Sequence, residues 1–271
     1  TLKNNLNSLI TNVTVAGIFS SPNFQSEMIS QSLLWEKLYV LDINENWLKV
    51  KQFDDYEGWI HKFYTIKNDN NIINSATYIE TNLIGNILTS PKLNSRPIIN
   101  CTFGTVIPAI ETKNFNNSWW HKIILPDFKN GWIQDSGYKK SNSMRKTVKQ
   151  IAELFLGTPY VWGGRSSYGF DCSGFVQTIF KFCGISLPRD SKNQLNYHTL
   201  VEQNKDENKI GDLLFFEKNN KINHIGISLG NDKYIHSSGY VRINSLNPKE
   251  KNFDKSLFTM YHSSKSIRNI I

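Results

Sequence analysis

TPYVWGGRSSYGFDCSGFVQTIF, residues 158–180, is the stretch on which the fold turns. Gly163 and Gly164 permit a loop that passes close to other backbone. Asp171 has the side chain of a helix N-cap. From Cys172 onward Phe175, Val176, Ile179 and Phe180 recur at helical spacing, which predicts a helix over Cys172–Phe182 stopped by Gly184. Cys172 and Ser173 then occupy its first turn. Unpaired backbone N–H groups and the positive end of the helix dipole favour thiolate over thiol there. The same N–H groups suit the oxyanion of an acyl-transfer intermediate.

A thiolate nucleophile needs an imidazole to hold it as an ion pair and later to protonate the leaving amine. His224 lies in an alternating run in which Ile222, His224, Gly226 and Ser228 share one face and Ile225, Ile227 and Leu229 the other. The apolar face packs inward, and His224 then stands beside small residues. His236, in Tyr234-Ile235-His236-Ser237, is placed to fix the tautomer of His224 through its second nitrogen. The candidate triad is Cys172, His224 and His236. Taken singly, a cysteine at a helix start or a histidine on a strand is more often structural. One Cys and two His also match a three-ligand zinc count, but no His-x-x-x-His or Cys-x-x-Cys pair supports it. Cys101 and Cys183 read as small buried hydrophobes.

Outward from this stretch, residues 144–156 carry Val148, Ile151, Ala152 and Phe155 on one helical face, closed by Gly157 and Pro159. Strands are expected at 212–217, 222–229 and 234–236, the first two joined through Lys218-Asn219-Asn220-Lys221 as a hairpin. Helices followed by an antiparallel sheet make an α+β domain over 143–271. The first half is different. Trp47, Lys49, Val50 and Gly58-Trp59-Ile60 return 73 residues later as Trp120, Lys122, Ile123 and Gly131-Trp132-Ile133. Such self-similarity signals a duplicated unit. Short alternating segments with polar turns predict two small β barrels, at 8–68 and 77–140.

Composition sets the outer bounds. Lys and Arg number 31 against 23 Asp and Glu, a formal charge of +8, scattered rather than gathered into a nucleic-acid arm. A hydrophobic fraction of 39% argues against disorder. No run approaches the roughly 18 uninterrupted apolar residues of a membrane helix. The opening TLKNNLNSLI has no apolar signal core, and both cytoplasm and periplasm or cell envelope stay open as compartments.

Pro159-Tyr160-Val161-Trp162-Gly163-Gly164, Phe170-Asp171-Cys172-Ser173-Gly174-Phe175-Val176, Leu187-Pro188-Arg189-Asp190-Ser191, Gly211-Asp212-Leu213-Leu214-Phe215-Phe216, His224-Ile225-Gly226-Ile227 and Tyr234-Ile235-His236 follow in order. This set closely resembles the NlpC/P60 cysteine peptidases. The resemblance implies a papain-like fold with Cys172 as nucleophile, His224 as base and His236 as the orienting third residue. Asn46-Trp47-Leu48-Lys49-Val50 and Glu57-Gly58-Trp59-Ile60 resemble a bacterial SH3-type module.

Two such modules ahead of the peptidase domain resemble the γ-D-glutamyl-L-diamino acid endopeptidases of murein peptides. That resemblance implies a substrate with a free L-Ala amine, cut between γ-D-Glu and the diamino acid. It places Tyr160, Asp171 and Ser173 around the L-Ala end and Ser191 against D-Glu. Glu36 and Tyr56 of the first module would close the cleft to all but a free amine. Three readings follow: a recycling-type peptidase of free murein peptides, a wall-acting endopeptidase with the modules as targeting units, and a binding protein that has lost activity. The pairing of Asp171 with Tyr160 favours the first, and the intact triad argues against the third. No metal or organic cofactor is expected. The expected partner is a murein peptide rather than nucleic acid, without membrane insertion, met by a monomer.

Overall fold

The computed structural model describes residues 8–67 and 76–268. The expected module end at residue 68 and the chain end at 269–271 therefore lie outside the described residues. Two compact units divide the chain, Thr1–Lys139 and Lys140–Ile271.

In the first unit, β1 (Leu9–Thr11), β2 (Val15–Phe19), β3 (Met28–Leu33), β4 (Lys37–Asn44), β5 (Trp47–Lys51), β6 (Glu57–His61) and β7 (Thr65–Lys67) form one antiparallel sheet in the order β3-β2-β6-β5-β4-β1-β7. Alternate residues of these strands, Ala16, Ile18, Leu48, Val50 and Ile60 among them, build a small core with Leu9 and Leu38. The pattern repeats in β8 (Ala76–Ile79), β9 (Ile84–Leu88), β10 (Pro97–Thr102), β11 (Val106–Phe115), β12 (Ser118–Ile124) and β13 (Asn130–Gln134), ordered β10-β9-β13-β12-β11-β8. From β2 to β9 the offset is 69 residues, but from β6 to β13 it is 73. The four extra residues lengthen the β11–β12 hairpin, which closes on Asn116 and Asn117, both at positive φ.

The first barrel's chain supplies a core residue to the second. Leu34, in the turn after β3, is buried in the second barrel's cluster with Ile87, Cys101, Ile107 and Ile123. Trp35 follows at φ 68°, a left-handed backbone that costs a non-glycine residue roughly 1–2 kcal/mol. Its ring packs on the same cluster, and its Nε1 donates to the Ile124 carbonyl at 2.8 Å.

The second unit opens with α1 (Met144–Leu154), capped by Ser143 and burying Val148, Ile151 and Ala152 as their spacing predicts. It ends two residues short of the predicted 156, because Phe155 leaves helical backbone and Gly157 turns the chain at φ 85°. A two-stranded hairpin, β14 (Arg165–Ser166) and β15 (Gly169–Phe170), leads into α2 (Cys172–Phe182) and the short α3 (Ser191–Leu195). The helix α2 stops as predicted. Gly184, at φ 88°, donates to Lys181 O, and Ile185 donates to Phe180 O.

Beneath these helices lies one antiparallel sheet of β16 (Leu200–Gln203), β17 (Leu213–Lys218), β18 (Lys221–Gly230), β19 (Lys233–Ser238), β20 (Tyr240–Ser245) and, after α4 (Lys255–Met260), β21 (Tyr261–Ile267). Its order is β16-β21-β17-β18-β19-β20. Asn219 and Asn220, both at positive φ, form the two-residue turn between β17 and β18. The buried Asp212 carboxylate accepts from Arg145 Nη1 at 2.9 Å and Lys209 N at 2.8 Å, which clamps α1 to the sheet. Three of the six strands were not expected from the sequence, and one of these, β21, runs inside the sheet.

Candidate active site

The first turn of α2 is fixed from three sides. Asp171 is the N-cap, its Oδ1 accepting from Gly174 N at 2.6 Å and from the Ser173 hydroxyl at 3.2 Å. The glycine loop crosses directly over this turn. Asp171 N donates to Gly164 O at 3.0 Å, and a Cβ on Gly174 would lie well inside contact distance of the Gly164 carbonyl oxygen. Gln194 of α3 donates through Nε2 to Ser173 O at 3.1 Å and Pro188 O at 2.8 Å. Ser237 of β19 donates to Phe170 O at 2.7 Å, tying the segment before Cys172 to the strand that carries His236.

The nucleophile candidate meets the sheet at β18. Cys172 is buried, and its sulfur accepts from the backbone amides of Ser173 and of Ile225, the residue after His224. His224 Nε2 lies 2.7 Å from His236 Nδ1, and His236 Nε2 lies 3.0 Å from Asn244 Oδ1. The three side chains thus form a row across β18, β19 and β20. Diagonal neighbours on one face of an antiparallel sheet are close enough for such contacts. Gly226 gives His236 its room, since a Cβ there would stand 3.3 Å from the His236 Cβ.

Burial decides the protonation states. It pushes the Cys172 thiol up to about 12, with the Asp171 charge adding to the rise, against the lowering effect of the Ile225 and Ser173 amides and Arg189. Burial also takes His224 well below the usual histidine range and His236 down to about 4. The Ser173 amide of the helix start acts in the direction expected from the sequence, and burial acts against it. For Cys172, burial and Asp171 favour the thiol over the thiolate, and for His224 and His236 burial favours the neutral ring.

The remaining predicted residues fall as follows. Tyr160 is half-buried, with its N–H donating to Gly239 O at 2.9 Å, and its hydroxyl is raised chiefly by burial. Ser173 is buried, and Ser191 is the half-buried first residue of α3. Glu36 and Tyr56 belong to the first unit, where Glu36 Oε2 accepts from Leu33 N at 2.9 Å and caps the turn that carries Leu34 and Trp35. Cys101 is buried, whereas Cys183 at the end of α2 is only half-buried.

Two residues near the site had no assigned role in the sequence reading. Arg189 is buried and binds both Asp171 oxygens, through Nη1 to Oδ1 at 3.0 Å and through Nη2 to Oδ2, while Nη1 also reaches the Ser173 hydroxyl at 3.0 Å. The Asp171 charge is therefore matched inside the protein. Asn244 closes the histidine row. Its place in the site follows from strand pairing, which no local motif encodes.

Residues 157–262 match the NlpC/P60 family, and residues 18–62 match the bacterial dipeptidyl-peptidase Sh3 domain. The chain is 25% identical over 260 residues to dipeptidyl-peptidase 6 of Lysinibacillus sphaericus, covering 90% of this chain and 94% of that one. It is 32% identical over 229 residues to the γ-D-glutamyl-L-lysine dipeptidyl-peptidase of Bacillus subtilis, covering 77% and 71%. Among solved structures, an NlpC/P60 family protein from Bacillus cereus shares the fold with a TM-score of 0.81 at 21% identity, over 97% of this chain and 99% of that one. With a cysteine at a helix start, a paired histidine row on the sheet beneath it and these relatives, the chain belongs to the NlpC/P60 family of cysteine peptidases.

Proposed function

We propose that the protein hydrolyses the bond between γ-D-Glu and a diamino acid in murein peptides that begin with a free L-Ala amine, releasing the L-Ala-D-Glu dipeptide. One observation carries the chemistry: the Cys172 sulfur lies against the amide of Ile225, one residue from His224, whose Nε2 is held by His236. The names of two relatives, γ-D-glutamyl-L-lysine dipeptidyl-peptidases of Bacillus cereus and Bacillus subtilis, support the bond and favour lysine on the leaving side. A dipeptidyl-peptidase counts two residues from a free amine, which fits a recycling-type enzyme.

In this reading Cys172 attacks the γ-carbonyl of D-Glu as His224 takes the thiol proton, in keeping with burial favouring the neutral form of each. The Cys172 backbone N–H faces the oxyanion at the helix start. His224 then gives its proton to the leaving amine, and water activated by His224 releases the dipeptide from the thioester. Asp171 and Tyr160 meet the L-Ala ammonium, and Ser191 meets D-Glu. Ser173, whose hydroxyl already donates to Asp171 and accepts from Arg189, retains one acceptor lone pair for the ligand. Glu36 and Tyr56 enter the proposal on their sequence motifs alone.

Mass spectrometry of L-Ala-γ-D-Glu-L-Lys and the same peptide acetylated at its amine tests the reading. Cleavage of the free peptide only is expected. Equal cleavage of both would overturn the amine requirement in favour of a wall-acting endopeptidase.

A further inference from the structure

The row of side chains on the sheet contains a fixed point at its far end. Asn244 Nδ2 donates to the backbone carbonyl of Asn252 at 3.0 Å. A carbonyl only accepts, so the amide nitrogen of Asn244 must face Asn252, and its oxygen must face His236. Asn252 is itself tied down. Its Nδ2 donates to Ile243 O at 3.2 Å, and its carbonyl also receives Ser245 N at 2.9 Å. The loop after β20 therefore folds back and sets the orientation of one amide.

The rest follows from counting protons. An amide oxygen can only accept, so His236 Nε2 carries the hydrogen. His236 is uncharged at neutral pH, so its Nδ1 has a lone pair and must accept from His224 Nε2–H. His224, also uncharged, is left with its lone pair on Nδ1. That is the form a base needs in order to take a thiol proton.

We infer that Asn244, oriented by Asn252, is the positioning residue that fixes the tautomers of both histidines and so makes His224 Nδ1 the basic nitrogen. The inference rests on the roles proposed above for Cys172 and His224. The charged groups near His236 are Arg242, its register partner on β20, and Asp254, which pairs with Arg242 at 3.7 Å. The Tyr234 ring packs 5.0 Å from the His236 ring. None of these supplies the amide acceptor that Asn244 brings to Nε2.

Nitrogen-15 NMR of the ring nitrogens in the intact wild-type protein reads the tautomers directly. Both histidines should carry hydrogen on Nε2 and a lone pair on Nδ1. Asn244→Leu should lower kcat roughly 10–100-fold with little change in KM, and should populate the Nδ1–H form of His236. Asn244→Asp keeps an acceptor and should restore most of the neutral-pH rate, while moving the acid limb of the pH profile upward. Hydrogen on His236 Nδ1 in the wild type would overturn the inference. So would a slow Asn244→Leu enzyme whose ring signals are unchanged, because that is a purely structural effect. Cys172→Ala in the same assay separates the two levels. A Cys172→Ala protein that still turns over sinks the proposed function. A dead Cys172→Ala beside a fully active Asn244→Leu sinks only the tautomer assignment.

Discussion

Cys172 shows how environment overrides residue type. Its helix-start position favours thiolate, and two amides point at its sulfur, yet burial and Asp171 hold the proton on. In the proposed mechanism the thiolate then forms during attack rather than being stored as an ion pair. The rate of inactivation of the free enzyme by iodoacetamide should accordingly climb with pH beyond 9 without a plateau. A plateau with its midpoint at or below 7 would show a preformed thiolate instead. At this scale the sequence was informative wherever a residue sat inside a local pattern. Cys172 was marked by its place at the start of a helix period, His224 by strand alternation, and His236 by its place on the next strand segment. Arg189 and Asn244 were not legible as site residues. Their partners lie 18 and 8 residues away, and only folding brings them together.

Among elements, α2 and the β17–β18 hairpin were readable because their signals are local: an N-cap, a helical stripe, a glycine stop, two asparagines in a turn. By contrast, β21 reads Tyr-His-Ser-Ser-Lys-Ser-Ile and buries Ser264 and Ser266 where a buried strand usually shows Val or Ile. Its alternation has no apolar signature, so nothing in the tail announced a strand inside the sheet. The packing of α2 yields a sharp test. Gly to Ala inside a helix ordinarily stabilises by about 1 kcal/mol. At Gly174 the new Cβ would press on the Gly164 backbone carbonyl, and backbone cannot rotate away as a side chain can. Gly174→Ala should therefore lower both the thermal midpoint and kcat, by shifting the turn that carries Cys172. Wild-type stability in that variant would show that the loop yields.

Over the whole molecule, the duplication was visible as a tryptophan spacing, because Trp47 and Trp120 are buried at matching places in the two barrels. The burial of Leu34 in the second barrel's core was invisible, since an apolar residue in a turn does not declare which core it fills. The second unit also carries a global acid sensitivity. His236 has its pKa depressed to about 4 in the fold against an ordinary value near 6.5. The fold therefore binds fewer protons than the unfolded chain between these values. Its stabilisation is present above about 6.5 and is lost as pH falls toward 4, by about 2–3 kcal/mol at pH 4.5. His224 shifts in the same direction. Hydrogen exchange at β18 and β19 amides, corrected for intrinsic rates, should show lower protection at pH 4.5 than at 7, and less of a drop in His236→Gln. Equal protection at both pH values would contradict the assignment of neutral buried histidines. The central claim, a thiol peptidase built on Cys172 that cuts after γ-D-Glu, is tested most directly by mass spectrometry of L-Ala-γ-D-Glu-L-Lys incubated with wild-type and Cys172→Ala proteins. The account predicts L-Ala-D-Glu and free lysine from the wild type and intact tripeptide from the variant. Intact tripeptide from both, or equal cleavage by both, would contradict it.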